Sequence, residues 1–250
     1  MTRKIMIVLI IFILIISIYK VCSIDNSIES FSIKSERVSI EDLYLKKWNG
    51  KRWLTLGDSI TKPGKYQNEL ENVLGFSSID NRGINGQTMA YQTKNKSTYT
   101  VGKEIDYNKY DLVTIFIGTN DFRYEKNLGE IKDKGNSNLD EKTFICSYQL
   151  LIEYILESNP NIQIVLITPL QRIRDGYNTE FVNKSGNKLI DYVESIKKIG
   201  QIYSIPVLDL YSESGITENN IELFTKDGLH PNDKGYSRIS EKMFRFLLSI

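Results

Sequence analysis

Histidine and cysteine are scarce in this chain, which has one histidine and two cysteines among its 250 residues. Zinc sites are built mainly from these two residue types, so a zinc site of the usual kinds is excluded. If Cys22 leaves with an N-terminal leader, Cys146 stands alone and a disulfide framework is excluded as well. We therefore expect the protein to work without a metal and without any other cofactor.

An excess of charge of one sign is also absent, because 32 Lys and Arg side chains nearly balance 31 Asp and Glu side chains. Proteins that bind nucleic acid usually present a broad basic field, and this composition provides none. With 41% hydrophobic residues, the chain also lacks the composition of a disordered or collagen-like protein. The sequence predicts a globular protein whose partner is neither nucleic acid nor another polyelectrolyte.

The longest apolar run lies at the N-terminus. Arg3 and Lys4 precede an uncharged, mostly apolar run over residues 5–19, and Lys20 follows it. This arrangement is typical of a secretion signal, and as a helix the run spans about 22 Å, short of a hydrocarbon core of about 30 Å. We predict a signal peptide or an N-terminal membrane anchor over residues 1–23, which places the bulk of the chain outside the cytoplasm.

The rest of the chain divides into a polar segment and one domain. Residues 24–47 are polar without a strong period, which favours a tether or a peripheral segment, and residues 48–250 form the predicted domain. Its short apolar runs cover residues 53–56, 78–81, 112–117, 162–168 and 206–210. Apolar residues at helical spacing cover residues 66–74, 143–156, 187–202 and 233–248. Strands that alternate with helices predict an α/β domain with a parallel sheet covered on both faces.

Polar segments follow several of the predicted strands. Ligands of such sheets bind beyond the carboxyl ends of the strands, so these segments are the expected site. They read GDSIT at 57–61, NRGINGQT at 81–88, GTND at 118–121 and DGLHPN at 227–232.

Three residues of these segments suit acyl transfer. A serine hydroxyl becomes a good nucleophile when a neutral imidazole removes its proton and a carboxylate fixes the imidazole tautomer. Ser59 is the candidate nucleophile, His230 the base and Asp227 the carboxylate. Alternatively, Ser59 caps a helix and His230 is an ordinary surface or capping histidine.

A developing oxyanion also needs hydrogen-bond donors. The candidates are the backbone N–H of Gly86, the side-chain amide of Asn120 and the backbone N–H of Ser59, which is expected at a helix start. Structural roles are the alternatives. Gly86 would then satisfy a turn that needs positive φ, and Asn120 would cap a helix or close a turn with Asp121.

Taken together, the four segments resemble the sequence blocks of the SGNH hydrolases, the GDSL-like lipase or esterase family. The resemblance implies Ser59 as nucleophile, Gly86 and Asn120 as oxyanion donors, and Asp227 and His230 as the rest of the triad. Gln87 departs from the pattern, because many members carry Asp at this place. The resemblance spans about residues 50–248. The Gly-x-Ser-x-Gly signature of α/β-hydrolases is absent from the sequence.

The resemblance implies a flavodoxin-like three-layer sandwich with a five-stranded parallel sheet in the order 2-1-3-4-5. It implies an ester hydrolase. The predicted location outside the cytoplasm and the polar loops around the site favour short acyl esters, chiefly acetyl, with a small acyl ester or an acylated polysaccharide as substrate. The alternatives are an O-acyltransferase with the same triad, a lysophospholipase or thioesterase, and a non-catalytic carbohydrate-binding module. The residues that bind the rest of the substrate are not identified. Long polar loops hold candidates for the rim of the site, namely Arg172, Arg174, Tyr124 and Tyr177.

Overall fold

A computed structural model describes residues 46–93 and 96–250. The predicted leader and most of the polar segment up to residue 47 lie outside the described residues, and both stay predictions. The described residues belong to one compact unit. None of the helices described has the length and apolarity needed to cross a membrane.

Five parallel strands form the sheet. They are β1 (Arg52–Gly57), β2 (Ser78–Gly83), β3 (Leu112–Phe116), β4 (Gln163–Ile167) and β5 (Val207–Leu208). They pair in the order β2-β1-β3-β4-β5, and every pairing is parallel. The predicted α/β fold and its strand order are therefore confirmed.

The helices follow the strands along the chain. They are α1 (Lys65–Leu74), α2 (Thr98–Gly102), α3 (Thr119–Arg123), α4 (Phe144–Ser158), α5 (Leu189–Tyr203), α6 (Leu210–Glu213), α7 (Ile221–Phe224) and α8 (Asp233–Ser249). The four long helices agree with the predicted helical patterns to within two residues at each end. Short 3-10 turns lie at Tyr107–Lys109 and Arg174–Gly176.

Two hydrophobic clusters cover the two faces of the sheet. Leu54 and Leu56 of β1 belong to the cluster that includes α4 and α5, whereas Trp53 belongs to the one that includes α1 and α8. Successive strand side chains point to opposite faces, so each central strand contributes to both clusters. Because helices cover both faces, the central strands β1, β3 and β4 are almost fully buried, and β3 reads as a continuous, mostly apolar run. The edge strand β2 is polar and only partly buried. Polar loops lie at the carboxyl edge of the sheet.

The fifth strand is shorter than predicted. The apolar run at 206–210 forms a strand only over Val207–Leu208. The carboxylate of Asp209 accepts hydrogen bonds from the Thr168 hydroxyl at 3.0 Å and from the Ser212 backbone N–H at 3.2 Å. This side chain caps α6, so the chain leaves the sheet at Asp209.

Candidate active site

Ser59 lies in a tight turn directly after β1. The N–H of Lys62 donates to the carbonyl oxygen of Asp58 at 3.0 Å, which closes a single helical turn. Pro63 cannot donate a backbone hydrogen bond, and Gly64 adopts a φ of 71°, so this turn stops and α1 begins only at Lys65. The expectation that Ser59 starts a helix is therefore wrong.

The hydroxyl of Ser59 does not cap a helix either. The N–H of Ile60 instead bonds to the Oδ1 of Asp58 at 2.9 Å. The Oγ of Ser59 lies 2.9 Å from the Nε2 of His230, which is 171 positions later in the chain. The turn thus presents the serine hydroxyl to the histidine ring.

The loop before α8 holds Asp227 and His230 in a fixed mutual geometry. Gly228, with a φ of 76°, allows the loop to fold back on itself. The Oδ1 of Asp227 accepts the backbone N–H groups of Leu229 and His230 at 3.2 and 2.8 Å. Its Oδ2 lies 2.8 Å from the Nδ1 of His230. Ser59, His230 and Asp227 therefore form a continuous hydrogen-bonded chain.

A cation also contacts the Asp227 end of this chain. The Nη1 of Arg174 lies 2.8 Å from the Oδ2 of Asp227 and 3.0 Å from the Nδ1 of His230. Burial raises the pKa of the Asp227 carboxyl, but hydrogen bonds from the His230 side chain and backbone, together with the charges of His230 and Arg174, outweigh burial. The pKa of Asp227 consequently lies below its usual value, and the group stays a carboxylate. Sequence reasoning placed Arg174 on the rim and missed this contact.

Gly86 lies in the loop after β2. It adopts a φ of 72°, and the N–H of Gln87 donates to the carbonyl of Ile84 across this turn at 3.1 Å. The alternative of a turn that requires positive φ is thus observed. The backbone N–H groups of Gly86 and Ser59 make no hydrogen bond to other described residues. Both groups therefore stay free to bind a ligand.

Asn120 lies in α3 but does not cap it, because the N-cap residue is Gly118 and no side chain caps this helix. The buried Nδ2 of Asn120 donates to the carbonyl of Gln87 at 3.0 Å. A second contact joins it to the Oδ2 of Asp58 at 3.4 Å, which is longer than an ordinary hydrogen bond. One amide hydrogen is thus firmly held, and the other is only weakly engaged.

Two buried carboxyl groups support these loops, and the sequence analysis gave neither a role. Asp121 is fully buried, and its two oxygens accept the backbone N–H groups of Met89 and Ala90, each at 2.9 Å. The Oδ1 of Asp58 accepts a hydrogen bond from the Ile60 N–H, and its Oδ2 lies 3.4 Å from the Nδ2 of Asn120. The signal that could have identified them is their position in GDSIT and GTND, beside the predicted site residues.

Both carboxyl groups have unusual pKa values. Burial raises the pKa of Asp58 to about 7, against the opposing effects of the Ile60 N–H and the Arg172 charge. Burial also raises the pKa of Asp121 to about 7, against its bonds from Met89 and Ala90. Each group therefore binds its proton more tightly in the folded protein than in the unfolded chain, where an Asp has a pKa of about 4.

These shifts predict that stability falls as the pH rises. Between about pH 4 and pH 7 the folded state binds more protons than the unfolded state, so the free energy of unfolding decreases across that range and levels off above it. We expect a lower melting temperature at pH 8 than at pH 5, measured at constant ionic strength. Carboxyls whose pKa is lowered are ionised in the folded and unfolded states above about pH 5 and add little between pH 5 and pH 8. They are Asp80, Asp111, Glu130, Asp227 and Asp233.

Asp58→Asn provides the control, because the amide keeps the size of the side chain but cannot titrate. The dependence of its melting temperature on pH should be flatter than that of the unsubstituted protein. An equal or higher melting temperature of the unsubstituted protein at pH 8 would contradict the predicted direction.

The predicted rim residues divide into two groups. Arg172 is fully buried, its Nη1 donates to the carbonyl and hydroxyl of Thr119 at 3.2 and 3.0 Å, and its guanidinium lies over the ring of Tyr177. Tyr177 packs edge-on against Phe122 with ring centroids 5.7 Å apart. Tyr124 and Arg174 do line the site. The interpretation of Arg172 and Tyr177 as rim residues was therefore wrong. Hydrogen bonds hold the buried Arg172 inside the loop, and the partly buried Tyr177 packs on Phe122 and does not line the cleft.

All five predicted site residues line one cleft of about 560 Å³. These are Ser59, Gly86, Asn120, Asp227 and His230. Elements after β1, β2, β3 and β5 supply them, so the carboxyl edge of the sheet brings together positions that are far apart in the chain. Among the residues that the structure describes, no cluster of three His, Cys, Asp or Glu side chains is arranged to hold a metal ion.

Known proteins are similar to this chain in sequence and in fold. The family described as GDSL-like lipase/acylhydrolase matches residues 55–238. A solved protein from Lactobacillus plantarum is 26% identical with a TM-score of 0.70, and the match covers 80% of this chain and 98% of that one. A possible lipase from Chitinophaga pinensis is 25% identical with a TM-score of 0.60, with coverage of 78% and 96%.

An acetyl xylan esterase has the same fold, with 22% identity, a TM-score of 0.57 and coverage of 78% of this chain and 98% of that one. No curated protein matches the sequence significantly. The family match nevertheless spans well over half of the chain and includes all four sequence blocks that meet in the cleft. The chain therefore belongs to the GDSL-like lipase/acylhydrolase family, the SGNH hydrolases.

Proposed function

We propose that this protein is an extracytoplasmic serine esterase that removes short acyl groups, chiefly acetyl, from a carbohydrate. The observation that carries the proposal is the hydrogen-bonded chain from Ser59 through His230 to Asp227, with distances of 2.9 and 2.8 Å between the bonded atoms. This chain opens into a cleft that also holds Asn120 and Gly86. Such an arrangement suits nucleophilic attack on an ester.

In the proposed reaction, the Oγ of Ser59 attacks the ester carbonyl carbon while the Nε2 of His230 takes the hydroxyl proton. The Oδ2 of Asp227 accepts the Nδ1–H, which fixes the tautomer and stabilises the imidazolium that forms. When the tetrahedral intermediate collapses, the C–O bond to the alcohol breaks and His230 returns the proton to the departing oxygen. The acyl group is then covalently bound to Ser59.

Deacylation repeats these steps with water. His230 removes a proton from water as the water oxygen attacks the acyl carbon, and Ser59 leaves with that proton as a hydroxyl. In both halves of the reaction the carbonyl oxygen becomes an oxyanion. The proposed donors to it are the N–H groups of Ser59 and Gly86 and the less engaged amide hydrogen of Asn120.

The lining of the cleft supports a short acyl group on a polar alcohol. Leu229 is the one branched aliphatic side chain that lines the described cleft, and Pro63 and Pro231 supply further small apolar surface. A long acyl chain needs a longer apolar groove to leave water. Tyr124 is 40% exposed and lines the same cleft. The Arg123 guanidinium lies over its ring, 5.6 Å from the centroid, and the other face of the ring is the one proposed to stack on a sugar. The N-terminal apolar run supports a location outside the cytoplasm.

The proposal is tested with the purified protein and p-nitrophenyl esters of increasing chain length, together with an acetylated oligosaccharide. We expect acetate release from the oligosaccharide and a kcat/KM that decreases from the acetyl to the octanoyl ester. Transfer of acetate to an added glycan in place of water would identify an O-acyltransferase. An increase with chain length would favour a lysophospholipase or thioesterase. Binding of the oligosaccharide by folded protein without cleavage of any ester would leave only a carbohydrate-binding module.

Asn120→Ala tests the oxyanion donors. If the Asn120 amide binds the oxyanion, kcat should fall about 10²- to 10³-fold while KM changes little, because the contact strengthens only in the tetrahedral state. The substitution also leaves the Gln87 carbonyl without its donor, which costs about 1–3 kcal/mol of folding free energy. Turnover and melting temperature should therefore be measured on the same preparation.

Asn183→Ala is the matched control. Asn183 is also buried, and its Nδ2 donates to the carbonyl of Phe122 at 3.0 Å, but it does not line the cleft. Asn183 also donates to the Tyr192 hydroxyl and accepts the N–H groups of Ser185 and Asn187. We therefore expect a loss of stability at least as large as that of Asn120→Ala, with kcat nearly unchanged. If the two variants lose turnover equally, at a temperature where both stay folded, Asn120 has only a structural role.

A further inference from the structure

Positive charge is concentrated around the candidate nucleophile. Five cationic side chains line the cleft that contains Ser59, against one carboxylate, Asp227, which is already engaged with His230 and Arg174. The cations are Lys65, Lys96, Arg123, Arg174 and Lys226. The whole chain carries a net charge of only +1, so this concentration is local and does not follow from the composition. The protein walls of such a cleft have a low dielectric constant, so they concentrate the electric field of the charges on a bound ligand.

The five cations differ in how far they are neutralised. Lys65 pairs with Asp233 at 2.9 Å and Arg123 with Asp175 at 3.4 Å, but all four side chains are substantially exposed to solvent. Such exposed pairs contribute little free energy and open readily. Neither Asp233 nor Asp175 lines the cleft. Both cations therefore stay available to a ligand.

Lys96 and Lys226 make no ion pair with any described carboxylate within 4 Å. The neighbouring acidic residues Asp175 and Glu222 line a second cleft, which shares Arg174, Lys226 and Asp227 with the first. Asp175 and Glu222 thus line only the second cleft, and the cleft with Ser59 retains an excess of positive charge.

We infer that this cationic lining binds an anionic group, a carboxylate or a phosphate, carried by the substrate next to the acylated hydroxyl. The inference rests on the proposed esterase function, because it assigns the substrate class of that same site. Lysine ammonium and arginine guanidinium groups form charge-assisted hydrogen bonds with such oxyanions. The substrate class is therefore a short acyl ester of an acidic sugar or of a sugar phosphate.

Lys96 and Lys226 permit a clean test, because their backbone groups make the contacts that hold the loops. The N–H of Lys226 donates to the carbonyl of His230 at 2.8 Å, and the carbonyl of Lys96 accepts the Thr88 N–H at 3.1 Å. Glutamine at both positions keeps these bonds and removes two charges. The matched control is the double variant Lys198→Gln, Lys242→Gln, in which neither residue lines the cleft.

The probes are a monoacetylated methyl glucuronide, the corresponding methyl glucoside and a monoacetylated glucose phosphate. Their affinities are measured by calorimetry on the Ser59→Ala protein, so that no turnover is needed, and kcat/KM is measured on the protein with Ser59 intact. We expect at least one anionic ester to bind about tenfold more tightly than the glucoside at low ionic strength. The preference should shrink strongly at about 0.5 M salt.

In the Lys96→Gln, Lys226→Gln protein the anion preference should fall to about twofold, whereas the Lys198→Gln, Lys242→Gln protein should keep it. Equal affinity for the charged and neutral esters overturns the inference, as does a preference that persists without the two lysines. The two proposals fail separately. Selective binding without hydrolysis of any ester removes the esterase function alone, and hydrolysis without anion preference removes the anion site alone. The ratio between glucuronide and phosphate identifies which oxyanion the cleft prefers.

Discussion

Ser59→Ala is expected to lower kcat for p-nitrophenyl acetate by about 10⁵- to 10⁶-fold, because the substitution removes the nucleophile itself. The change removes the one oxygen that lies 2.9 Å from the Nε2 of His230, so no acyl-enzyme can form. Residual turnover would come only from the remaining donors and from binding. The Oγ makes no other hydrogen bond among the described residues, so the melting temperature should change little.

Ser77→Ala is the control for this substitution. Ser77 lies between α1 and β2, and its hydroxyl donates to the carbonyl of Lys51 at 3.1 Å, away from the cleft. The Ser77→Ala protein, purified in the same way, should retain full activity. A loss confined to Ser59→Ala then cannot come from removal of a contaminating esterase during purification. Mass spectrometry of the intact protein after a short incubation with an activated ester should show an added acyl group only when Ser59 is present. Turnover of Ser59→Ala within tenfold of the unsubstituted protein would remove Ser59 from the mechanism.

The sequence predicts the site better than it predicts the turn that holds it. The blocks with Ser59, Gly86 and Asn120 directly follow apolar runs, and this pairing was sufficient to bring them to one edge of a parallel sheet. The block with His230 lies beyond the fifth run and is separated from β5 by α6 and α7. The local conformation at Ser59 was not predictable in the same way. It depends on Pro63 and Gly64, because these two residues stop the single helical turn that follows β1, and α1 begins only after them.

The loop after β4 shows why residue type alone does not assign a role. Arg172 and Arg174 are two positions apart, yet Arg172 is buried against Thr119 while Arg174 reaches Asp227. The direction of each side chain follows from the packing of this loop on α3 and on the loop before α8. That packing is long-range and has no periodic signal in the sequence. Short helices such as α2 and α7 were missed for a related reason, since four or five residues are too few to display a helical period.

Asp227→Asn should lower kcat by about 10⁴-fold, and the hydrogen bonds around this side chain explain why the loss is so large for one exchanged atom. Oδ1 accepts the backbone N–H groups of Leu229 and His230, so the amide oxygen of Asn is expected to occupy that place. The amide NH₂ then faces the Nδ1 of His230, where the carboxylate had accepted a hydrogen bond at 2.8 Å.

Two donors cannot face each other, so the imidazole must change its tautomer. Nδ1 becomes the acceptor and Nε2 carries the hydrogen, which points at the Oγ of Ser59. A ring in that state cannot remove the serine proton. The amide also faces the Nη1 of Arg174, another donor, which loses its acceptor at 2.8 Å. The variant thus keeps the arrangement of the heavy atoms and loses the base.

This prediction separates a catalytic carboxylate from one that only fixes the loop. Asp133→Asn, on an exposed loop outside the cleft, is the matched exchange and should leave kcat unchanged. If Asp227 only held the loop through its Oδ1, Asp227→Asn would retain those two backbone bonds and most of its turnover. A loss of less than tenfold would therefore mean that Asp227 only holds the loop and does not fix the tautomer of His230. A loss near 10⁴-fold with an unchanged KM, at a temperature where the variant stays folded, is the result that the Oδ2–Nδ1 contact requires.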